Sequence, residues 1–296
     1  MWDAIRRALF GGGRPGFEID DLATRLEMTV ERLSRTQPRY RSFEIPRRAG
    51  GSRTISAPDD DLKELQRRIL HRILPGLRAH PAVHGFEPGR SIVTNARRHV
   101  GKAVVVGMDI RDFFPSTGQG RVEAYLRAVG WSRAAAREIT RLTCHEGGLP
   151  QGAPTSPRLS NVVNYRMDAR LAGLARKVGA EYTRYADDLT FSLVRDDATA
   201  VKTLVRVAGL IVTEEGYEPH PEKLTVRRRH QRQEVTGLVV NERIHLPRET
   251  RRWLRAVEHR VRTGGECSLT DAELAGWQAL ASMVDTQGAG AGVPGG

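Results

Sequence analysis

The sequence predicts an α+β fold, an antiparallel sheet with helices packed on one face. Three observations carry this. Ala103 to Met108 is an unbroken apolar run, AVVVGM, which reads as a buried strand and ends at Asp109. Glu181 to Tyr185 and Leu189 to Val194 read as two strands around a tight connection. Elsewhere apolar residues recur at helical spacing, most clearly Leu62, Leu65, Ile69, Leu70 and Ile73.

Taken in order, residues 1–10 read as a helix that Gly11-Gly12-Gly13 and Pro15-Gly16 interrupt. Asp20-Asp21 is placed to cap a helix carrying Leu22 and Leu26, with Leu33 following Thr29. Tyr40 to Ile45 and Arg53 to Ala57 form a hairpin whose tip, Arg47 to Ser52, is basic and glycine-rich. Pro58-Asp59-Asp60-Asp61 starts the helix of Leu62 to Ile73, and Pro75-Gly76 ends it. A short helix is expected around Asn95 to Val100, and longer ones at 121–130, 132–144 and 158–178. Ala198 to Glu214 reads as helical, and Leu224 to Arg229 with Val235 to Val240 as a further strand pair. Helices over Thr250 to Thr263 and Thr270 to Val284 lead to a glycine-rich tail, 286–296, expected to be disordered.

Composition narrows the class. Hydrophobic residues make up 39% of 296, ordinary for a globular protein, and no apolar run reaches the roughly 18–20 residues that cross a bilayer. Residues 1–10 lack the apolar stretch of a signal peptide, so a soluble, cytoplasmic protein is expected. Cys144 and Cys267 are too few for a zinc site or a disulfide framework. Cys144-His145 as nucleophile and base is disfavoured, because neighbours on a helix point about 100° apart. The net charge of +12 suits a polyanion, either nucleic acid or an acidic membrane surface. Of that excess, +7 lies between Arg227 and Arg262, where 11 arginines face 4 glutamates.

The carboxylates point to chemistry. Asp109 follows the buried strand, and Asp187-Asp188 sits at the tip of the hairpin in Tyr185-Ala186-Asp187-Asp188. Ala-Asp-Asp is poor turn chemistry, since tight hairpin turns favour Asn-Gly or a similar pair able to take positive φ. Bringing three carboxylates together is repulsive unless a cation neutralises them. Such a cluster can hold two hard ions about 3.5–4 Å apart, one activating a hydroxyl and one stabilising a leaving oxygen in phosphoryl transfer.

With MDIRDFF around Asp109, Leu149-Pro150-Gln151-Gly152 and YADD on a hairpin, the chain resembles a reverse transcriptase from about Arg39 to Arg262. Asp109 and Asp187 are 78 residues apart, which fits that order of motifs. HGFEPGRSI, NARRH, LPQGAPTSPRLSN, YADDLTFS and VTGLVVN resemble the bacterial retron type. Its Asn-Ala-x-x-His and Val-Thr-Gly elements separate it from group II intron enzymes, and the length leaves no room for an added maturase or endonuclease domain.

The resemblance implies a right-hand polymerase-like fold with fingers, an antiparallel palm sheet and a small helical basic thumb. The expected divisions are an N-terminal helical extension 1–38, fingers 39–102 continued in part of 121–160, palm 103–240 and thumb 241–285. It implies that Asp109, Asp187 and Asp188, with the carbonyl of Ile110, bind two Mg²⁺ ions, Mn²⁺ being the alternative. Phe114 should stack under the deoxyribose and exclude a 2′-hydroxyl. Gln151 and Gly152 should line the nucleotide pocket, and Arg53 with Arg47 or Arg48 should clasp the triphosphate. Asn95, His99 and Val235-Thr236-Gly237 should help hold the template-primer RNA. The implied activity is copying of a structured noncoding RNA from deoxynucleoside triphosphates. Priming would come from an RNA 2′-hydroxyl, and a separate effector protein would serve anti-phage defence. A stand-alone, CRISPR-associated or diversity-generating reverse transcriptase, a non-catalytic RNA-binding protein and a template-independent nucleotidyltransferase are the alternatives.

Overall fold

The computed structural model describes residues 16–46, 50–264 and 269–288. The expected helix at 1–10, Arg47 and Arg48, Cys267 and positions 289–296 of the tail lie outside the described residues. The chain divides into two compact units, Met1–His80 with Arg111–Met167, and Pro81–Ile110 with Asp168–Gly296. No helix among the described residues is long and apolar enough to cross a membrane.

The first unit begins with α1, Ile19–Arg25, and α2, Val30–Arg35. Glu18, not Asp20, is the N-cap of α1, and the Asp21 carboxylate reaches back to its N–H at 2.8 Å as the third member of a capping box. Strands β1, Tyr40–Pro46, and β2, Ser52–Pro58, pair antiparallel from Tyr40↔Pro58 to Pro46↔Ser52. Helix α3, Asp60–Arg72, starts where the Asp59 carboxylate accepts from the Leu62 N–H at 2.9 Å. It buries Leu62, Leu65 and Ile69, the stripe its spacing predicts.

The short helix α4, Ile92–Arg97, and strand β3, Val104–Asp109, belong to the second unit. The chain then returns to the first unit with α5, Phe113–Ser116; α6, Gln119–Ala128; α7, Arg133–Thr143; and α8, Ser156–Val163. One apolar core joins α1, α3, α6, α7 and α8 through Leu22, Ile69, Leu126, Ile139 and Leu159. The single helix expected over 158–178 is two, α8 and α9, the latter Tyr165–Lys177. Asn164 separates them. Its buried side chain donates to Ser160 O at 2.8 Å and accepts from Arg121, the local bonding by which asparagine competes with helix continuation.

The second unit is built on β3 with β4, Ala180–Tyr185; β5, Asp188–Leu193; and β6, Thr225–Arg228. The order is β4-β5-β3-β6, and every pair is antiparallel. Helix α10, Ala198–Glu214, links β5 to the segment before β6. Val104, Val105 and Val106 are all buried, so β3 is covered on both faces, not on one. This is the meaning of a continuous apolar run as against an alternating one. Val105 meets a core of Val93, Ala96, Val235, Leu238 and Val284.

The strand pair expected from 224–229 and 235–240 does not form. β6 pairs with β3, while Glu234–Val235 (β7) pairs with Leu238–Val239 (β8). The turn between β7 and β8 is Thr236-Gly237, both at positive φ, 48° and 77°. That is the backbone of a tight hairpin turn, hidden by a β-branched residue where asparagine is usual. The chain ends in α11, Arg248–Arg262, and α12, Asp271–Gly288, with Trp253 and Trp277 edge to face at 5.1 Å. Only Leu254 of α11 is buried, whereas Arg248, Arg251, Arg252, Arg255, His259 and Arg262 are exposed. At helical pitch these six fall within an arc of about 100° and run about 21 Å. Residues 286–288, given to the tail above, complete α12, and Gly288 is buried against Ile244.

His99 ties α4 to the sheet. It is wholly enclosed, with ring nitrogens 2.7 Å from Ser192 Oγ on β5 and Thr183 Oγ1 on β4. Burial, then the His84 ring and the cations Lys102 and Arg98, push its pKa down to about 3. Burial, then Arg90 and Arg98, push His84 down to about 4. Both values lie below the unfolded value, so both rings stay neutral in the fold. Their contribution to stability is complete above about pH 6.5 and is lost as pH falls through the folded values. Wild type should therefore lose about 2 kcal/mol more than His99→Gln between about pH 7 and pH 4.5, read from urea unfolding midpoints.

Candidate active site

Strand register assembles the carboxylates. Asp109 ends β3 directly opposite Asp188, the first residue of β5, and Asp188 is opposite Tyr185 of β4. Residues directly opposite lie on the same sheet face, so Asp109 and Asp188 share one face with Gly107 and Thr190. Between β4 and β5 only Ala186 and Asp187 remain, and Ala186 takes φ 55°. The unsuitable turn chemistry seen in the sequence is thus real strain, of order 1–2 kcal/mol for a non-glycine residue. The N–H of Ile110 donates to Asp187 O at 3.2 Å, and that of His220 donates to Asp109 O at 2.8 Å, fixing the backbone on both sides.

Burial and like charge raise these acids. Burial, then Asp109, raises Asp187. Burial, then Asp187 and Asp109, pushes Asp188 up to about 7. Asp188 is exposed toward a cavity of about 310 Å³. Gly107, Asp109, Asp188, Lys223, Thr236 and Gly237 are among the residues lining this cavity.

Lys223 escaped the reading of the sequence. Its ammonium lies 2.9 Å and 2.8 Å from the two oxygens of Asp109, held there by the 3-10 turn Pro221–Lys223. The only signal was compositional, since it is one of 5 lysines against 42 arginines. A half-exposed pair of this kind adds little stability, and its effect is to offset the charge of the cluster.

The other expected site residues separate by unit. In the first, Arg53, Thr54, Ser56, Asp112 and Gln151 are among those lining a cavity of about 430 Å³. The Ser56 N–H donates to Gln151 O at 2.8 Å, tying β2 to the Leu149 to Gly152 segment. Gly152 has φ 125°, and a Cβ there would stand 2.9 Å from the Ile55 methyl. Phe113 is buried, while Phe114 is partly exposed and rests on the core of that unit. In the second unit, Thr236 and Gly237 reach the surface of the carboxylate cavity, and Thr236 Oγ1 donates to Ile92 O at 3.2 Å. Asn95, His99 and Val235 are buried. His99 has both ring nitrogens engaged within the protein, by Ser192 and Thr183.

Residues 45–240 match the family model described as reverse transcriptase (RNA-dependent DNA polymerase). The chain belongs to the reverse transcriptase family. Within it, the chain is of the retron type. It is 42% identical over 266 residues to the retron Mx65 reverse transcriptase of Myxococcus xanthus, covering 84% of this chain and 62% of that one. It is 33% identical over 273 residues to the retron Ec86 reverse transcriptase of Escherichia coli, covering 90% and 83%. The chain thus spans about three fifths of the first relative and most of the second. Among solved structures, a telomerase of Candida albicans in complex with a fragment of telomeric RNA matches with a TM-score of 0.52. That match has 12% identity, covers 77% of this chain and 51% of that one, and speaks for the fold alone.

A polymerase domain of this family implies divalent metal. The donor set of this reverse transcriptase fits a hard cation: three carboxylates at one end of the sheet, two of them with raised pKa. Among the described residues no three acidic, His or Cys side chains already surround a single point, and Asp109 is paired with Lys223. The Gly152 geometry yields an expected outcome: Gly152→Ala should lower stability by about 1–3 kcal/mol, measured as a shift of the urea midpoint at unchanged slope.

Proposed function

We propose that this reverse transcriptase copies RNA into DNA, and that Asp109, Asp187 and Asp188 with the Ile110 carbonyl hold two Mg²⁺ ions, Mn²⁺ serving as substitute. The observation that carries this reading is the register that sets Asp109 against Asp188, with Asp187 next in the chain, in a family of RNA-dependent DNA polymerases. The metal ions would supply activation of the attacking hydroxyl and neutralisation of charge on the leaving phosphates. The protein's part is positioning and electrostatics, as phosphoryl transfer requires. Lys223 balances Asp109. Arg53 binds triphosphate oxygens bidentately, Gln151 and Gly152 bound the nucleotide pocket, and the Phe114 ring selects against a 2′-hydroxyl by shape. Thr236-Gly237 contacts the template-primer, and the arginine face of α11 follows its backbone.

The retron type extends the proposal. The template is a structured noncoding RNA, synthesis starts from a 2′-hydroxyl in that RNA, and the branched RNA–DNA serves anti-phage defence with a separate effector protein in the cytoplasm. The test is incubation of the protein, co-expressed with the RNA encoded beside its gene, with labelled deoxynucleotides and Mg²⁺. Labelled DNA that stays joined to RNA through phenol extraction until a debranching enzyme acts is the expected product. Asp187→Asn/Asp188→Asn should lower its yield by at least 10³-fold, the scale at which transition-state charge stabilisation operates. Extension without attached RNA would keep the polymerase and remove the branched product. Absence of DNA from wild type on every template would leave an RNA-binding protein.

A further inference from the structure

The turn carrying Asp187 and Asp188 is gripped from two sides by residues given no part in the chemistry above. Strand alternation places Tyr182 and Arg184 on the sheet face opposite Asp109 and Asp188. There Arg184 and Asp168 are both wholly buried. Arg184 Nε and Nη2 donate to the two Asp168 oxygens at 2.8 Å each, and the Tyr182 hydroxyl donates to Asp168 Oδ1 at 2.8 Å. The remaining guanidinium nitrogen, Nη1, donates to the carbonyl of Ala186 at 3.0 Å.

Beside the turn, residues 82–85 run along β4. The Arg184 N–H donates to Ala82 O at 2.9 Å, and the His84 N–H donates to Arg184 O at 2.8 Å. Gly85 then lies so close to the turn that a Cβ would stand 2.8 Å from the Ala186 nitrogen. The His84 ring, 3.0 Å from both Thr94 Oγ1 and Arg90 Nη1, anchors this loop to the start of α4.

A buried ion pair is a weak source of stability, because desolvation offsets most of its attraction, and hydrocarbon of the same volume often serves as well. Hydrocarbon cannot supply the third donor that reaches Ala186. Ala186 itself holds a left-handed conformation that persists only where its surroundings over-determine it. Asp168 and Arg184 over-determine it from behind, and Gly85 from the side. We infer that Asp168, Arg184 and Gly85 are positioning residues that fix the carboxylates of Asp187 and Asp188 for metal binding. This inference rests on the reading of those aspartates given under Proposed function.

The test compares the full-length protein with Gly85→Ala, with Gly89→Ala and with D168L/Y182F/R184M. The triple change replaces the Asp168, Tyr182 and Arg184 side chains by apolar ones. Gly89 belongs to the same loop and has φ 70°, but its Cβ would meet nothing within 4 Å, so it controls for loop strain. Three quantities are read at a temperature well below each midpoint of thermal unfolding. These are kcat and KM for deoxynucleotide on the co-expressed RNA, the Mg²⁺ concentration giving half-maximal rate, and Mn²⁺ affinity by electron paramagnetic resonance. Gly85→Ala should lower kcat at least tenfold, raise the half-maximal Mg²⁺ and weaken Mn²⁺ binding at least fivefold, with KM unchanged. Gly89→Ala should leave all of these at wild-type values. The triple variant should fold and show the Gly85→Ala pattern. Wild-type kcat and Mn²⁺ affinity in Gly85→Ala, or in the folded triple variant, would overturn the inference. If wild type makes no DNA, the polymerase reading falls, and the Mn²⁺ affinities still decide the positioning role.

Discussion

Three carboxylates of one sign are brought to one end of a sheet, and the arrangement of the second unit follows from keeping them there. Asp109 and Asp188 are opposite each other only in one register of β3 against β5. A slip of one residue would turn Asp188 to the other face and bring Leu189 and Phe191 out of the core. The apolar run of β3 resists such a slip, because its valines are buried on both faces. The energy that holds the charges together therefore comes from Val104 to Met108 and their partners, at a distance from the charges themselves.

The residual repulsion is answered locally. Lys223 lies on Asp109. Asp187 and Asp188 hold their protons to higher pH than ordinary aspartates. A site of this kind is poised to exchange an ammonium and bound protons for harder cations, which couples metal uptake to proton release. The strain at Ala186 belongs to the same arrangement. A glycine would relax the turn, but it would also free the backbone that aims both aspartates.

How much of this was legible depends on the range of the physics involved. Strands β3, β4 and β5, the helix from Asp59 to Arg72 and the carboxylates could be read because periodicity, a cap or a run of one residue class marked each within a few residues. Asn164 broke a helix through bonds to Ser160 and to Arg121, a partner 43 positions away that no local pattern announces. Thr236 took a backbone conformation that its residue type disfavours, which hid the β7–β8 hairpin and mis-paired β6. Lys223 and Asp109, 114 positions apart, meet only once the sheet exists. His99 was found by motif, but its two bonds, to Ser192 on β5 and Thr183 on β4, join residues more than 80 positions apart that no local pattern announces. The structure also gave meaning to Gly85, which in the sequence was one letter of a recognised stretch.

Helix α11 shows how charge placement sets local stability. It presents Arg248, Arg251, Arg252, Arg255, His259 and Arg262 along one narrow face and buries a single leucine, so little apolar contact opposes its opening. Mutual repulsion along the stripe weakens it further at low ionic strength. Regions with so few buried contacts occupy the low end of a protein's spectrum of opening free energies. The amides of α11 therefore belong among the fast-exchanging ones while those of β3 exchange only on global unfolding. A polyanion bound along the stripe would reverse that order by cancelling the repulsion, making this helix a reporter of occupancy as well as a contact.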